Sequence, residues 1–152
     1  MTEAQMDTQH LVVSRVFDAD RDRLWTAWTT PSEITRWWGP NGFVAVESSI
    51  ELEPREGGVF RLTMHSAEHG IEVPMDAHFL AVDPGERLVY TEPTPCLPAI
   101  RSVVGTLTLT DAGSGKTEVT LDITMETSDE IRTLSETGWH ESFDRLATVL
   151  AE

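Results

Sequence analysis

Residues 15–40 read RVFDADRDRLWTAWTTPSEITRWWGP. The β-branched run that ends at Phe17 closes a strand. Asp18 or Asp20 is placed to cap the helix that follows, with Leu24, Trp25 and Trp28 on its apolar side. Thr30-Pro31-Ser32-Glu33 then restarts a helix, with Thr30 at the N-cap, Pro31 at the first helical position and Glu33 set to close a capping box. Gly39-Pro40 stops that helix. Trp37 and Trp38 are adjacent, so they cannot both point inward from one helical face. An exposed apolar patch around them would suit a protein partner.

Upstream of this stretch, residues 1–9 are polar and acidic and are expected to form a flexible tail, leaving residues 10–152 as a single domain. His10–Phe17 is the first strand. Downstream the period changes to two. Val44, Val46, Ser48, Ile50 and Leu52 share one side of an expected half-buried strand. Val59–His65 and Val73–Val82 follow, the latter with Val73, Met75, Ala77, Phe79 and Ala81 on one face. Asp83-Pro84-Gly85 is a turn and Arg87–Thr91 a strand. Three prolines between Pro93 and Pro98 predict a loop. Ser102–Thr110 and Lys116–Met125 make a hairpin through Asp111–Gly115. Ser128 caps a long last helix whose apolar stripe is Ile131, Leu134, Trp139, Phe143, Leu146 and Leu150. The order is strand, two helices, six strands, helix, an α+β fold in which sheet and last helix bury each other's apolar face.

Composition narrows the function classes. The chain has 152 residues, enough for one domain with an ordinary core. With 26 Asp and Glu against 11 Lys and Arg, the net charge is -15. Nucleic acid and anionic membrane surfaces are therefore unfavourable partners. Cys96 is the only cysteine, which excludes an intrachain disulfide and a thiolate metal cluster. No apolar run approaches a membrane span and the first residues lack a secretory pattern, so a cytoplasmic location is expected. His65 and His69 stand four apart beside Glu68 and Glu72, but across a strand end and a glycine-containing loop, where that spacing does not gather metal ligands. No nucleophile elbow, Cys–His signature or phosphate-binding loop is present.

The 15–40 stretch, Gly57-Gly58-Val59-Phe60, the run from Pro84 to Thr91, and Gly138-Trp139 on the last helix occur in a set order. Together they resemble homologues of the heat-shock protein ATPase activator's C-terminal domain, within the START-like (SRPBCC) superfamily, from about Leu11 to Leu150. The resemblance implies a helix-grip fold, a curved antiparallel sheet around a long C-terminal helix, with the two short helices closing one end. A strongly curved sheet gripping one helix leaves room for an internal cavity, apolar with a few oriented polar groups. Its expected lining is Trp38, Met64, Met75, Phe79, Tyr90, Cys96, Trp139 and Phe143, with Glu92 or Arg101 as polar anchors; the same residue types also suit a filled core.

The function expected is non-catalytic binding of a small hydrophobic or aromatic molecule, with no cofactor. Two alternatives stand beside it. One is a protein-interaction role with a protein partner or a homodimer, although this chain is expected to lack the namesake's N-terminal domain. The other is a cyclase- or aromatase-like enzyme using Tyr90, Glu92 and His78, with Arg101 nearby. Gly138, inside a helix, is expected to allow close approach of the sheet or a ligand.

Overall fold

The computed structural model describes residues 6–152. Strand β1 (Asp7–Phe17) is followed by helices α1 (Arg21–Thr29) and α2 (Pro31–Trp37). Then come β2 (Val44–Ala45), a 3-10 turn (Glu47–Ser49), β3 (Glu51–Leu52), β4 (Val59–Ser66), β5 (Ile71–Asp83), β6 (Arg87–Glu92), β7 (Ile100–Gly113), β8 (Lys116–Thr127) and helix α3 (Asp129–Leu150). The sheet order is β1-β8-β7-β6-β5-β4-β2, with β3 also on β4, and every pair is antiparallel. The START-like helix-grip architecture expected from sequence is the one observed: the sheet wraps α3, and α1 and α2 follow β1 in the chain, before the other strands. Of the expected tail, residues 1–5 lie outside the described residues, while Asp7–Gln9 already pair with Thr127–Met125.

Local chemistry accounts for the helix ends. The Asp20 carboxylate accepts from the Arg23 amide at 2.8 Å and caps α1, and the Ser128 hydroxyl accepts from the Ile131 amide at 3.2 Å and caps α3. The expected capping box at Thr30 does not form. Thr30 makes no side-chain cap, and Glu33 lies 3.0 Å from the Arg23 guanidinium, tying α2 to α1. Trp37 and Trp38 are both buried, at 0% and 4% exposure. Trp37 ends the helix, whereas Trp38 has left it for extended backbone (φ -69°, ψ 130°), so one helical face never has to present both rings. The exposed patch that would have favoured a protein partner is therefore not there.

Three departures from simple alternation redirect the strands. The expected Val44–Leu52 strand breaks at the 3-10 turn, where the Ser49 hydroxyl donates to the Val46 carbonyl at 2.6 Å and accepts from the Thr63 amide at 2.9 Å. These bonds replace ladder bonds locally. In β5 the register shifts between Phe79 and Ala81, leaving Leu80 unpaired. After that bulge Val82, opposite Leu88, takes the core side in place of Ala81. In β7 the shift between Ile100 and Ser102 leaves Arg101 unpaired, and Ile100 pairs with buried Thr127.

The core lies between the concave face of the sheet and the second half of α3, whose Ser142, Phe143, Leu146 and Val149 are buried. No residue of α3 before Ser142 is buried, and Leu134, expected in the buried stripe, is 61% exposed. Gly138 faces Pro40, whose Cβ lies 3.4 Å from where an added Cβ would sit. The close approach is thus to the loop after α2 and not to the sheet.

Candidate functional site

The space expected to hold a cavity is crossed by a continuous series of aromatic rings. Phe17 of β1 meets Phe143 of α3 edge-on at 5.5 Å. Trp28 stacks against Trp139 at 6.1 Å and 13° and meets Trp37 and Trp38 edge-on at 4.7 and 5.9 Å. Trp38 continues to Phe60 at 5.4 Å, and Phe60 stacks on Phe79 at 5.3 Å and meets Tyr90 edge-on at 5.8 Å. These offset and T-shaped geometries are the favoured ones for aromatic pairs. The rings join α1, α2, α3 and strands β4–β6, so one end of the inner face is packed solid.

The other end is more open. Strand pairing puts Met64, Met75, Tyr90, Glu92 and Val103 on the inner face, and all but Tyr90 are only half-buried. Ile100, Ile131 and Trp139 are half-buried as well. Tyr90 lies flat across β7, where a Cβ added at Gly105 would stand 2.4 Å from its Cζ. The Glu92 Oε2 accepts from the Asp76 amide at 2.8 Å, just beyond the last β5–β6 pair. Burial pushes the Glu92 carboxyl upward in pKa, opposed by that hydrogen bond. Two measurable clefts, of about 300 and 380 Å³, lie elsewhere, between the start of α1 and the β7–β8 hairpin and along Asp83–Arg87. They are lined largely by charged and polar surface residues and lie at the end of the β6–β7 pair away from Glu92, so they are not the helix-grip site.

The expected site residues thus fall into three groups. Trp38, Phe79, Tyr90 and Phe143 are buried in the aromatic packing, at 5% exposure or less, and form a floor. Met64, Met75, Glu92 and Trp139 stand at the open end. Cys96 and Arg101 are exposed, on the β6–β7 loop and at the β7 bulge, apart from the other eight. His78 pairs with Thr91 and so lies on the outer face, opposite to Tyr90 and Glu92. Among the described residues, no three His, Cys, Asp or Glu side chains are grouped to hold a metal ion. Sequence reading missed Gly105, although a glycine inside an alternating strand is itself a signal of close approach. It also missed Arg145, for which no sequence signal existed.

Arg145 positions the floor from below. Its Nη1 donates to the carbonyls of Gly39 and Phe43, both at 2.9 Å, and of Trp38 at 3.5 Å. Partial burial lowers its pKa. The three carbonyls converge on this one nitrogen, whose two N–H groups they share. Arg145→Ala is expected to cost about 1–3 kcal/mol in chemical denaturation.

Tyr90 offers a direct probe of the floor because it is the only tyrosine in the chain. Burial, and after it the charge of Glu92, push its hydroxyl well above the ordinary phenol pKa of about 10. The folded state therefore holds this proton more tightly than the unfolded state. The resulting stability is fully present below about pH 10 and is lost as pH rises through the folded pKa. Phenolate absorbance at 295 nm is expected to stay flat through pH 10 and to appear only at higher pH. Titration with a midpoint near 10 in the folded protein would show the ring to be exposed.

The protein CV1439 from Chromobacterium violaceum is 24% identical, with a TM-score of 0.81 over 92% of this chain and 95% of that one. The protein MLL2253 from Mesorhizobium loti is 27% identical, with a TM-score of 0.70 over 94% and 97%. The AHSA1 protein from Silicibacter pomeroyi is 21% identical, with a TM-score of 0.79 over 94% and 98%. No curated protein matches the chain. No helix of the described residues is long and apolar enough to cross a membrane. Fold and family together support a helix-grip binding cavity in general terms. The model of the family described as Activator of Hsp90 ATPase homolog 1-like protein matches residues 18–151, and the chain belongs to that family.

Proposed function

We propose that this protein binds a small hydrophobic or aromatic molecule, without chemical transformation, at the open end of the inner face. The observation that carries this reading is the asymmetry of α3. Its second half is anchored by Phe143, Leu146 and Val149, while its first three turns have no buried residue. Arg132 pairs with Asp129 and Glu136 at 3.2 and 3.1 Å, so those turns are braced within the helix itself. An element with few buried contacts opens at low cost. On the inner face stand half-buried Met64, Met75, Ile100 and Val103, with the adaptable methionines suited to ligands of varied shape. Burying roughly 200 Å² of apolar surface at ~25 cal/mol per Å² supplies about 5 kcal/mol before ordering costs.

Native mass spectrometry of protein purified from its own host tests this reading. A reproducible one-to-one small molecule, released on denaturation, is the expected result. Protein that emerges empty, and that neither aromatic nor lipid probes bind in calorimetry, would overturn it.

A further inference from the structure

The inner face carries two polar groups that the fold leaves wholly or partly free. The four buried polar residues among the described residues are each engaged. Thr117 donates to the Ala19 carbonyl at 2.8 Å and Thr127 to the Ala99 carbonyl at 2.6 Å. Ser66 accepts from the His69 amide at 3.3 Å and Ser142 from the Gly39 amide at 3.2 Å. By contrast, the Tyr90 hydroxyl has no hydrogen-bond partner among the described residues, and Glu92 has only the Asp76 amide, on one of its two oxygens.

These two groups share a strand face two residues apart, roughly 7 Å. Tyr90 is set opposite Gly105 and Glu92 opposite Val103, so their cross-strand neighbours are apolar or absent. No Arg, Lys or His charge bears on Glu92; the one charged neighbour is Asp76, which is also acidic. Arg61, one strand further on, is already bound to the Asp76 carboxylate at 2.8 Å, and Arg101 is exposed at the bulge. A half-buried carboxylate without a cation at the mouth of an apolar site is an unpaired charge, and a ligand cation is what would pair it. The net charge of -15 adds a field that attracts cations and repels anions.

We propose that Glu92, with the Tyr90 hydroxyl beside it, makes this a site for an apolar molecule bearing a protonated amine, and that it discriminates against the matching carboxylate. This inference rests on the binding reading above and adds the ligand's charge class to it. The apolar body lies over Met75 and Val103 toward Trp139. The ammonium donates to the free Glu92 oxygen and to the Tyr90 hydroxyl.

The test uses three probes with one skeleton: 2-naphthylmethylamine, 2-naphthylmethanol and 2-naphthoate, titrated calorimetrically at pH 7 into the full chain. The amine is expected to bind about tenfold more tightly than the alcohol, the size of one charge-assisted hydrogen bond at a partly wet site, and the carboxylate more weakly than either. Glu92→Gln is expected to abolish the preference for the amine, so that amine and alcohol bind alike, and circular dichroism with a urea midpoint near that of the natural chain shows that the variant is folded. Tyr90→Phe keeps the ring on Gly105 and is expected to weaken the amine and the alcohol alike. Equal binding of amine and alcohol by the natural chain, or a preference that survives Glu92→Gln, overturns this inference and leaves the binding reading standing. Failure of all three probes to bind overturns this inference, and overturns the binding reading too where the protein from its own host is empty and lipid probes fail as well.

Discussion

Trp28→Ala is expected to lower stability by about 4 kcal/mol, a large share of the 5–15 kcal/mol that holds a domain of this size folded. Trp28 is 2% exposed and meets four other aromatic rings, those of Trp37, Trp38, Trp139 and Phe143. Truncation removes the ring that links α1 to α2 and α3, and the space it leaves is walled by rings that cannot collapse inward. Its indole Nε1 has no hydrogen-bond acceptor, so Trp28→Phe orphans no polar group. That variant is expected to cost less than half as much. Urea denaturation of the two variants checks both values. A loss below about 1 kcal/mol for Trp28→Ala would show that the aromatic series does not carry the packing between helices and sheet.

Gly105→Ala is the second large effect, and it acts by overfilling. The added methyl would fall 2.4, 2.5 and 2.6 Å from Cζ, Cε1 and Oη of Tyr90, well inside contact distance. The ring has little room to retreat, since Phe60 meets it edge-on and Phe79 lies beside it on β5. The expected cost is about 3 kcal/mol. Because the clash is with one side chain, Tyr90→Leu in the same chain should recover a good part of it, giving a coupling of about 1–2 kcal/mol in a double-mutant cycle. Strict additivity would mean that the strain lies in the β7 backbone. Displacement of the Tyr90 ring also disturbs the floor, so ligand binding is expected to weaken along with stability.

Most of the architecture was legible because its signals are local and periodic. Asp20 and Ser128 cap as their types predict, and the two-residue period of β4–β8 locates the inner face, including Tyr90 and Glu92. What was not legible depends on contacts between distant parts of the chain. Glu33 abandons a capping box for Arg23, a partner ten residues earlier that only the folded α1–α2 corner provides. Leu134 has the spacing of a buried stripe, but α3 follows β1 and α2 and leaves its first turns uncovered, which no helical pattern can show.

The site was legible in part for the same reason. Period-two reading holds until a bulge, and the bulge between Ile100 and Ser102 removes Arg101 from the pairing that would have made it an anchor. The mirror effect at Leu80 trades Ala81 for Val82. Cys96 sits in a proline-rich loop whose path has no period to follow. Trp37 and Trp38 show the converse case: two adjacent rings are both buried because the helix ends between them. Residue type alone could not separate the filled floor from the open end, since tryptophan, phenylalanine and methionine serve either.

The measurement that tests the central claim most directly is a methyl-region NMR titration with 2-naphthylmethanol. The account predicts saturable shifts at Met64, Met75, Ile100, Val103 and Ile131, the half-buried residues assigned to the open end. The exposed outer-face residues Val12, Val16 and Val104 are expected to stay unmoved. Shifts confined to the outer face, or none at saturating probe, would contradict it.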